Sequence, residues 1–162
     1  ESLIQKKTFL QKKLSAWSGI IEDVRSVPAS GRLGYRDKVN LAMKWNGTQW
    51  ETGTLNRDEL IPIPRCPVHK SCVNEAIRLF HSVLPRYSEI EAVRYVQTAK
   101  QIAIVVKSRD LPGTGWLTEA FAERLASIGI EGVWLHLFPS SGKKVFGKGG
   151  WYLIWGKEAS QD

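Results

Sequence analysis

Lys38-Val39-Asn40-Leu41-Ala42-Met43-Lys44-Trp45-Asn46-Gly47-Thr48-Gln49-Trp50-Glu51-Thr52, residues 38–52, is the stretch that decides the fold. Apolar side chains recur at Val39, Leu41, Met43 and Trp45, every second position. A period of two places them on one face of a half-buried strand. Asn46-Gly47 is the strongest short-range hairpin signal. Residues 48–52 then return as the partner strand. The pattern predicts an antiparallel sheet built from hairpins.

The flanking segments extend that reading. Residues 92–98 and 101–106 predict a second hairpin across Ala99-Lys100, and 132–138 and 151–155 predict two further strands. Leu60-Ile61-Pro62-Ile63-Pro64 is extended, and its prolines suit a sheet edge. Val73, Ala76, Ile77, Phe80 and Leu84 share one face of a helix over 73–84, which Pro85 ends. A third helix is expected over 117–128, opened by Thr114-Gly115 or Thr118 and closed by Gly129. At the start, Leu3, Ile4, Lys7, Leu10, Leu14 and Trp17 have helical spacing. That helix should end at Ser18-Gly19, with the glycine as a left-handed cap. The fold class is therefore α+β, an antiparallel sheet of hairpins with helices on one face. Expected divisions are an amphipathic helix over 1–19, one α+β domain over 20–156, and a tail over 157–162.

Composition narrows the function classes. The chain has 162 residues, 43% of them hydrophobic, which is enough for one real core. No apolar run approaches the ~20 residues that span a bilayer, so no membrane partner is expected. Lys6, Lys7, Lys12 and Lys13 interrupt the opening segment, unlike a secretion signal. Two cysteines are too few for a secreted disulfide scaffold, so the cytoplasm is the default location. The net charge is +7, and residues 1–50 carry nine Lys/Arg against four Asp/Glu. A basic first third attracts polyanions, RNA among them. The plainer alternative is a solvated, soluble surface.

Four clusters carry candidate chemistry. Arg36 and Lys38 are two apart and should share one sheet face, with Tyr35 beside them. Such a face can track a phosphate backbone and stack a base; on spacing alone an ordinary solvated face is the better reading. Cys66, His69 and Cys72 are metal-ligand types, but they lack a C-x₂-C pair and a second half-site. Lys143, Lys144 and Lys148 lie in a Gly-rich loop without the order of a nucleotide-binding loop. Among the tryptophans, Trp116, Trp134 and Trp155 have apolar neighbours and are expected in the core. Trp45, Trp50 and Trp151 flank turns, and Trp45 and Trp50 are expected to bury against each other. No catalytic triad, paired carboxylates or GxGxxG is visible.

Several segments, in order, resemble the central region of the S-adenosylmethionine-dependent RNA uracil-C5 methyltransferases, the ribosomal and transfer RNA 5-methyluridine enzymes. The opening Leu3-Ile4-Gln5-Lys6-Lys7 through Leu14 is similar to their helix after a cysteine-rich segment. Gly34-Tyr35-Arg36-Asp37-Lys38-Val39-Asn40-Leu41 is similar to their Y-R-[NDK]-[KR]-x-x-[LF] strand. Ile63-Pro64-Arg65-Cys66-Pro67-Val68 is similar to their C-P step before a helix. Val145-Phe146-Gly147 with Leu153-Ile154-Trp155-Gly156 is similar to their V-F-G … L-x-G run. Trp50 and the prolines around Ile61 depart from the commoner pattern.

The resemblance implies an RNA-contacting central domain of a methyltransferase whose catalytic domain lies outside this chain. Its partners would be ribosomal or transfer RNA and the remaining domains of the polypeptide. The parent enzyme would use S-adenosylmethionine; this chain would hold no cofactor, carry no catalytic residue and be inactive alone. In cluster-bearing members a 4Fe-4S cluster takes three upstream cysteines and one in the C-P step, the position of Cys66. RNA contacts are expected at Tyr35, Arg36, Lys38, Lys44, Lys143 and Lys144. The rival readings are a stand-alone RNA-binding module and a small metal- or thiol-dependent enzyme on Cys66, His69 and Cys72.

Overall fold

The computed structural model describes residues 3–26, 28, 31–86, 90–96, 100–139 and 147–158, with the backbone alone over 91–96. The chain forms two compact units, Glu1–Arg32 and Leu33–Asp162. In the first, α1 (Leu3–Lys13) is followed by a 3₁₀ segment over Ser15–Ile20, and no residue of α1 is buried. The expected cap at Gly19 does not form. Gly19 lies inside the 3₁₀ segment, and its φ is not positive. The α-helix stops early because Leu14 leaves helical geometry, at φ −114° and ψ 49°. Lys7 forms an ion pair with Asp23 of the following connector.

In the second unit the alternation read from the sequence becomes β1 (Lys38–Trp45), where Val39, Leu41 and Met43 are buried and Lys38, Asn40 and Lys44 exposed. Six more strands follow: β2 (Trp50–Asn56), β3 (Glu59–Pro62), β4 (Ile90–Val96), β5 (Gln101–Val106), β6 (Gly132–Leu137) and β7 (Trp151–Gly156). They form one sheet in the order β3-β2-β1-β4-β5-β6-β7. β3 is an edge, a place that suits its Pro62. The first hairpin closes through a four-residue loop, not the two-residue turn suggested by Asn46-Gly47. Trp45 pairs with Trp50, so residues 48 and 49 belong to the loop. The Asn46 side chain accepts hydrogen bonds from the Thr48 and Gln49 amides at 2.9 Å, and Gly47 takes φ +101°. The asparagine acts as an internal loop cap.

The sheet is antiparallel except at one place: β5 and β6 run parallel. A parallel pair needs a crossover, and residues 107–131 supply it with α3 (Glu119–Ser127). Thr118 caps α3 through its hydroxyl, which accepts from the Phe121 amide. α2 (Ser71–Val83) connects β3 to β4. Buried residues of both helices join alternate residues of β1, β5 and β6 in one core. Phe80 of α2 meets Phe121 of α3 edge-on, with centroids 5.4 Å apart. Both helices therefore cover the same face of the sheet, as the α+β reading expected. The Trp50 indole N–H donates to the carbonyls of Leu84 and Pro85, which ties the end of α2 to β2.

Glycine is demanded at position 53. A β-carbon there would lie 1.9 Å from the Ile61 carbonyl oxygen on β3. That atom is backbone, so relief requires the strands to separate. Gly53→Ala is expected to cost at least about 1–3 kcal/mol, the usual range for overpacking. Chemical denaturation should show the lower midpoint, and unchanged stability would mean that β3 is not held against β2.

Candidate nucleic-acid interface

The face of the sheet opposite the helices carries the candidate site. Lys38, Asn40 and Lys44 project from it on β1, all exposed. Lys38 and Lys44 are six residues apart, roughly 20 Å along a strand. Neighbouring phosphates of a nucleic-acid chain fit within such a span. Strand registers carry this face across the sheet. Asn40 aligns through Arg94 and Ala103 with Trp134 and Leu153. Ala42 aligns through Ala92 and Val105 with His136 and Trp151. The face is thus cationic and polar at β1, and aromatic at β6 and β7.

The structure places Arg36 differently from the sequence reading. β1 begins at Lys38, and Arg36 makes an isolated parallel bridge with His69. The Arg36 amide donates to the Val68 carbonyl, and its own carbonyl accepts from Lys70. Its side chain and that of Tyr35 are exposed. Asp37 is engaged by Lys70 at 3.6 Å, which offsets the one carboxylate between these cations. Lys44 shares a shallow cleft of about 600 Å³ with Asn56, Arg57, Asp58 and Glu59. Two carboxylates, Asp58 and Glu59, accompany the two cations there. Lys143 and Lys144 lie outside the described residues.

Trp134 is not in the core. Val133 and Leu135 take the helix-covered side, so the pleat turns Trp134 to the other face, half-buried. Its indole donates to the Gln101 side chain at 2.7 Å. Trp45 and Trp50 do meet, edge-on at 5.7 Å, and Trp50 is buried. Trp116 and Trp155 pack against the core. The sequence analysis missed the cap over His136, which stacks on Trp151 at 4.0 Å and on Phe138 at 5.7 Å. The Gly147 amide donates to His136 Nε2, so that nitrogen carries no proton. Trp151 donates in turn to the Gly147 carbonyl. The alternation of Trp134 and His136 with apolar neighbours was the available signal.

Cys66 is held by its backbone. The Asn74 side chain of α2 accepts from the Cys66 amide and donates to its carbonyl, at 3.2 and 3.0 Å. Cys66 and Cys72 form no disulfide, and both are half-buried. Among the described residues no group of three or more His, Cys, Asp or Glu is placed to hold a metal ion. Cys66 supplies one thiolate where a 4Fe-4S cluster takes four, so the residues present do not fit that group. Among the same residues no helix is long and apolar enough to cross a membrane.

No protein-family model matches this sequence, and no curated protein matches it. Among solved structures, the fold is similar to that of the Pyrococcus abyssi tRNA (uracil-54, C5)-methyltransferase in complex with S-adenosyl-L-homocysteine. The TM-score is 0.61 at 17% sequence identity, over 96% of this chain and 39% of that one. This chain thus shares the architecture of a part of that enzyme.

All three histidines have pKa values held below the ordinary value, with burial as the main cause. The Arg36 charge adds to the effect at His69. Unfolding below pH of about 6.5 therefore takes up protons that the folded chain refuses. Stability is greatest above that pH and falls as pH drops through the folded values. Thermal unfolding between pH 7 and 5 should show the decline. His136→Phe keeps a ring in the stack and should flatten the decline while lowering stability at pH 7. An unchanged pH slope would mean that His136 is not the neutral acceptor described.

Proposed function

We propose that this chain is the RNA-docking domain of a uracil-C5 RNA methyltransferase. The likeness of its fold to part of the archaeal tRNA enzyme carries the reading. The ordered motifs around Tyr35, Cys66 and Phe146-Gly147 support it. In this reading the cofactor, the nucleophile and the methyl transfer belong to a domain outside this chain. S-adenosylmethionine is the parent's cofactor, and the chain alone binds none. The division into an opening helix, a central domain and a tail toward the catalytic part belongs to the same proposal.

The docking chemistry follows from the helix-free face. Lys38 on that face, with Arg36 in the segment just before β1, neutralises phosphates and releases counterions. Tyr35, more than half exposed, offers a ring for stacking beside them. Trp134 and Leu153 give the far side of the face an apolar surface for bases. Phosphate contacts of this kind set the register of the RNA without reading its sequence. Lys44 contributes less because of Asp58 and Glu59, and Lys143 and Lys144, outside the described residues, belong to the same proposal by their charge alone.

Binding to an unmodified transfer RNA and to a single-stranded oligonucleotide tests this at several salt concentrations. Affinity should fall with salt, by about 0.7 log units per log unit of salt for each single-strand contact. Arg36→Ala with Lys38→Ala should weaken both RNAs about equally and flatten the slope by roughly one to two units. Both residues are exposed, so the fold should survive. Binding by the double variant equal to the original would remove this face from the RNA site.

A further inference from the structure

Gln101, at the start of β5, is a buried polar side chain with both ends bonded. Its side-chain carbonyl accepts from the Trp134 indole at 2.7 Å. Its amide group donates to the Lys157 carbonyl at 3.1 Å. The Lys157 amide donates in turn to the Glu131 carbonyl. One end of the glutamine is thus anchored to backbone that is itself tied down, and the other end holds the indole.

Position 132 is kept clear for this arrangement. A β-carbon on Gly132 would lie 2.0 Å from Gln101 Oε1 and 2.5 Å from the Lys157 carbonyl oxygen. The glutamine therefore lies across the glycine on its way to Trp134. An apolar side chain of the same length would fill that space with no polar group to satisfy. A buried polar network with every member bonded fixes one arrangement. Here the arrangement fixed is the direction of the Trp134 ring.

The surroundings select what that ring meets. Lys38 leads through Val96 to Gln101, Gly132 and Gly156 in one row across the sheet. The row of Asn40 and Trp134 lies beside it. Neither row contains an acidic residue. Trp134 is three strands from β1, about 14 Å at the usual strand spacing. A phosphate held at Lys38 leaves a base a few nucleotides along within reach of the indole. Ala103 and Leu153 flank Trp134 on the neighbouring strands and bring no polar group. Stacking of a base asks for a ring presented in this way beside a cationic track.

We propose that Trp134 is a stacking platform for one base of a single-stranded RNA segment, and that Gln101 is the positioning residue that presets it. The inference rests on the RNA-docking reading and deepens it. Every base has a π-face, so the platform adds affinity without reading sequence. It also adds no phosphate contact, which separates it from Arg36 and Lys38.

Binding of a short single-stranded RNA at several salt concentrations is the test. A fluorescent purine analogue, dimmed by stacking, is placed at each position in turn. Trp134→Leu should weaken binding about tenfold and abolish the dimming, with the salt slope unchanged. Gln101→Met keeps the length and removes both hydrogen bonds. It should weaken binding about threefold, again with the same slope. Trp134→Phe keeps a ring but has no N–H to hold, so in that background Gln101→Met should have no further effect. Undiminished binding by Trp134→Leu, or a loss that flattens the slope, would overturn the platform. An equal loss from Gln101→Met in both backgrounds would overturn the positioning role, because general structural damage acts in either. Where Trp134→Leu fails to fold, the dimming by the original chain and the Gln101 cycle decide. Loss on Trp134→Leu with none on Arg36→Ala and Lys38→Ala would uphold the platform and remove the lysine face. Absence of RNA binding by the original chain would overturn both.

Discussion

Every residue of β5 is buried, and the rest of the second unit is arranged around that fact. A strand in this position needs cover on both sides of the sheet. On one side α2 and α3 supply it, with Phe80, Phe121 and Trp116 meeting edge-on above the strands. Beside β5 on the other side, Phe138, Gly147 and Trp151 close over His136 on β6. The parallel pairing with β6 follows from the same demand. The crossover that reaches a parallel neighbour carries α3 across the sheet, where it meets α2. At β1 the helix-free face stays open, which leaves Lys38 and Asn40 facing solvent.

Much of this was readable from residue order. β1 alternates so cleanly that its buried and exposed faces were legible residue by residue. α2 showed its apolar stripe, and the prolines of β3 marked an edge. The parallel pair was not legible, because Ile102-Ala103-Ile104-Val105-Val106 is a continuous apolar run. Such a run has no period to tell one pairing direction from the other. Trp134 was misjudged because apolar neighbours in sequence do not fix which way a pleat turns a side chain. The short α1 shows the limit of helical spacing, since periodicity continued to Trp17 while the backbone departed at Leu14. Of the candidate site, the exposure of Tyr35, Arg36 and Lys38 was legible in their polar run, whereas the bridge from Arg36 to His69 is a long-range contact.

β2 has work on both sides of the sheet. Lys44 pairs with Glu51 across the β1–β2 ladder, on the side that faces away from the helices. The next residue, Thr52, turns inward beneath α2. Trp50 secures that helix by bonding the carbonyls that α2 leaves free at its end. A single strand thus carries a half-exposed polar residue on one side and a core contact on the other.

The clamp between Asn74 and Cys66 has a consequence for how this region opens. Cys66 sits in a connecting segment, where amides ordinarily exchange with solvent through small local fluctuations. Its amide is bonded instead to a side chain in the first turns of α2. Releasing that amide requires the asparagine to let go, and the asparagine is anchored in the helix. In hydrogen-exchange terms, Cys66 belongs to the cooperative unit of α2 and not to the loop that contains it. The proline step and the helix then open together, and a thiol near the surface inherits the slow clock of the core.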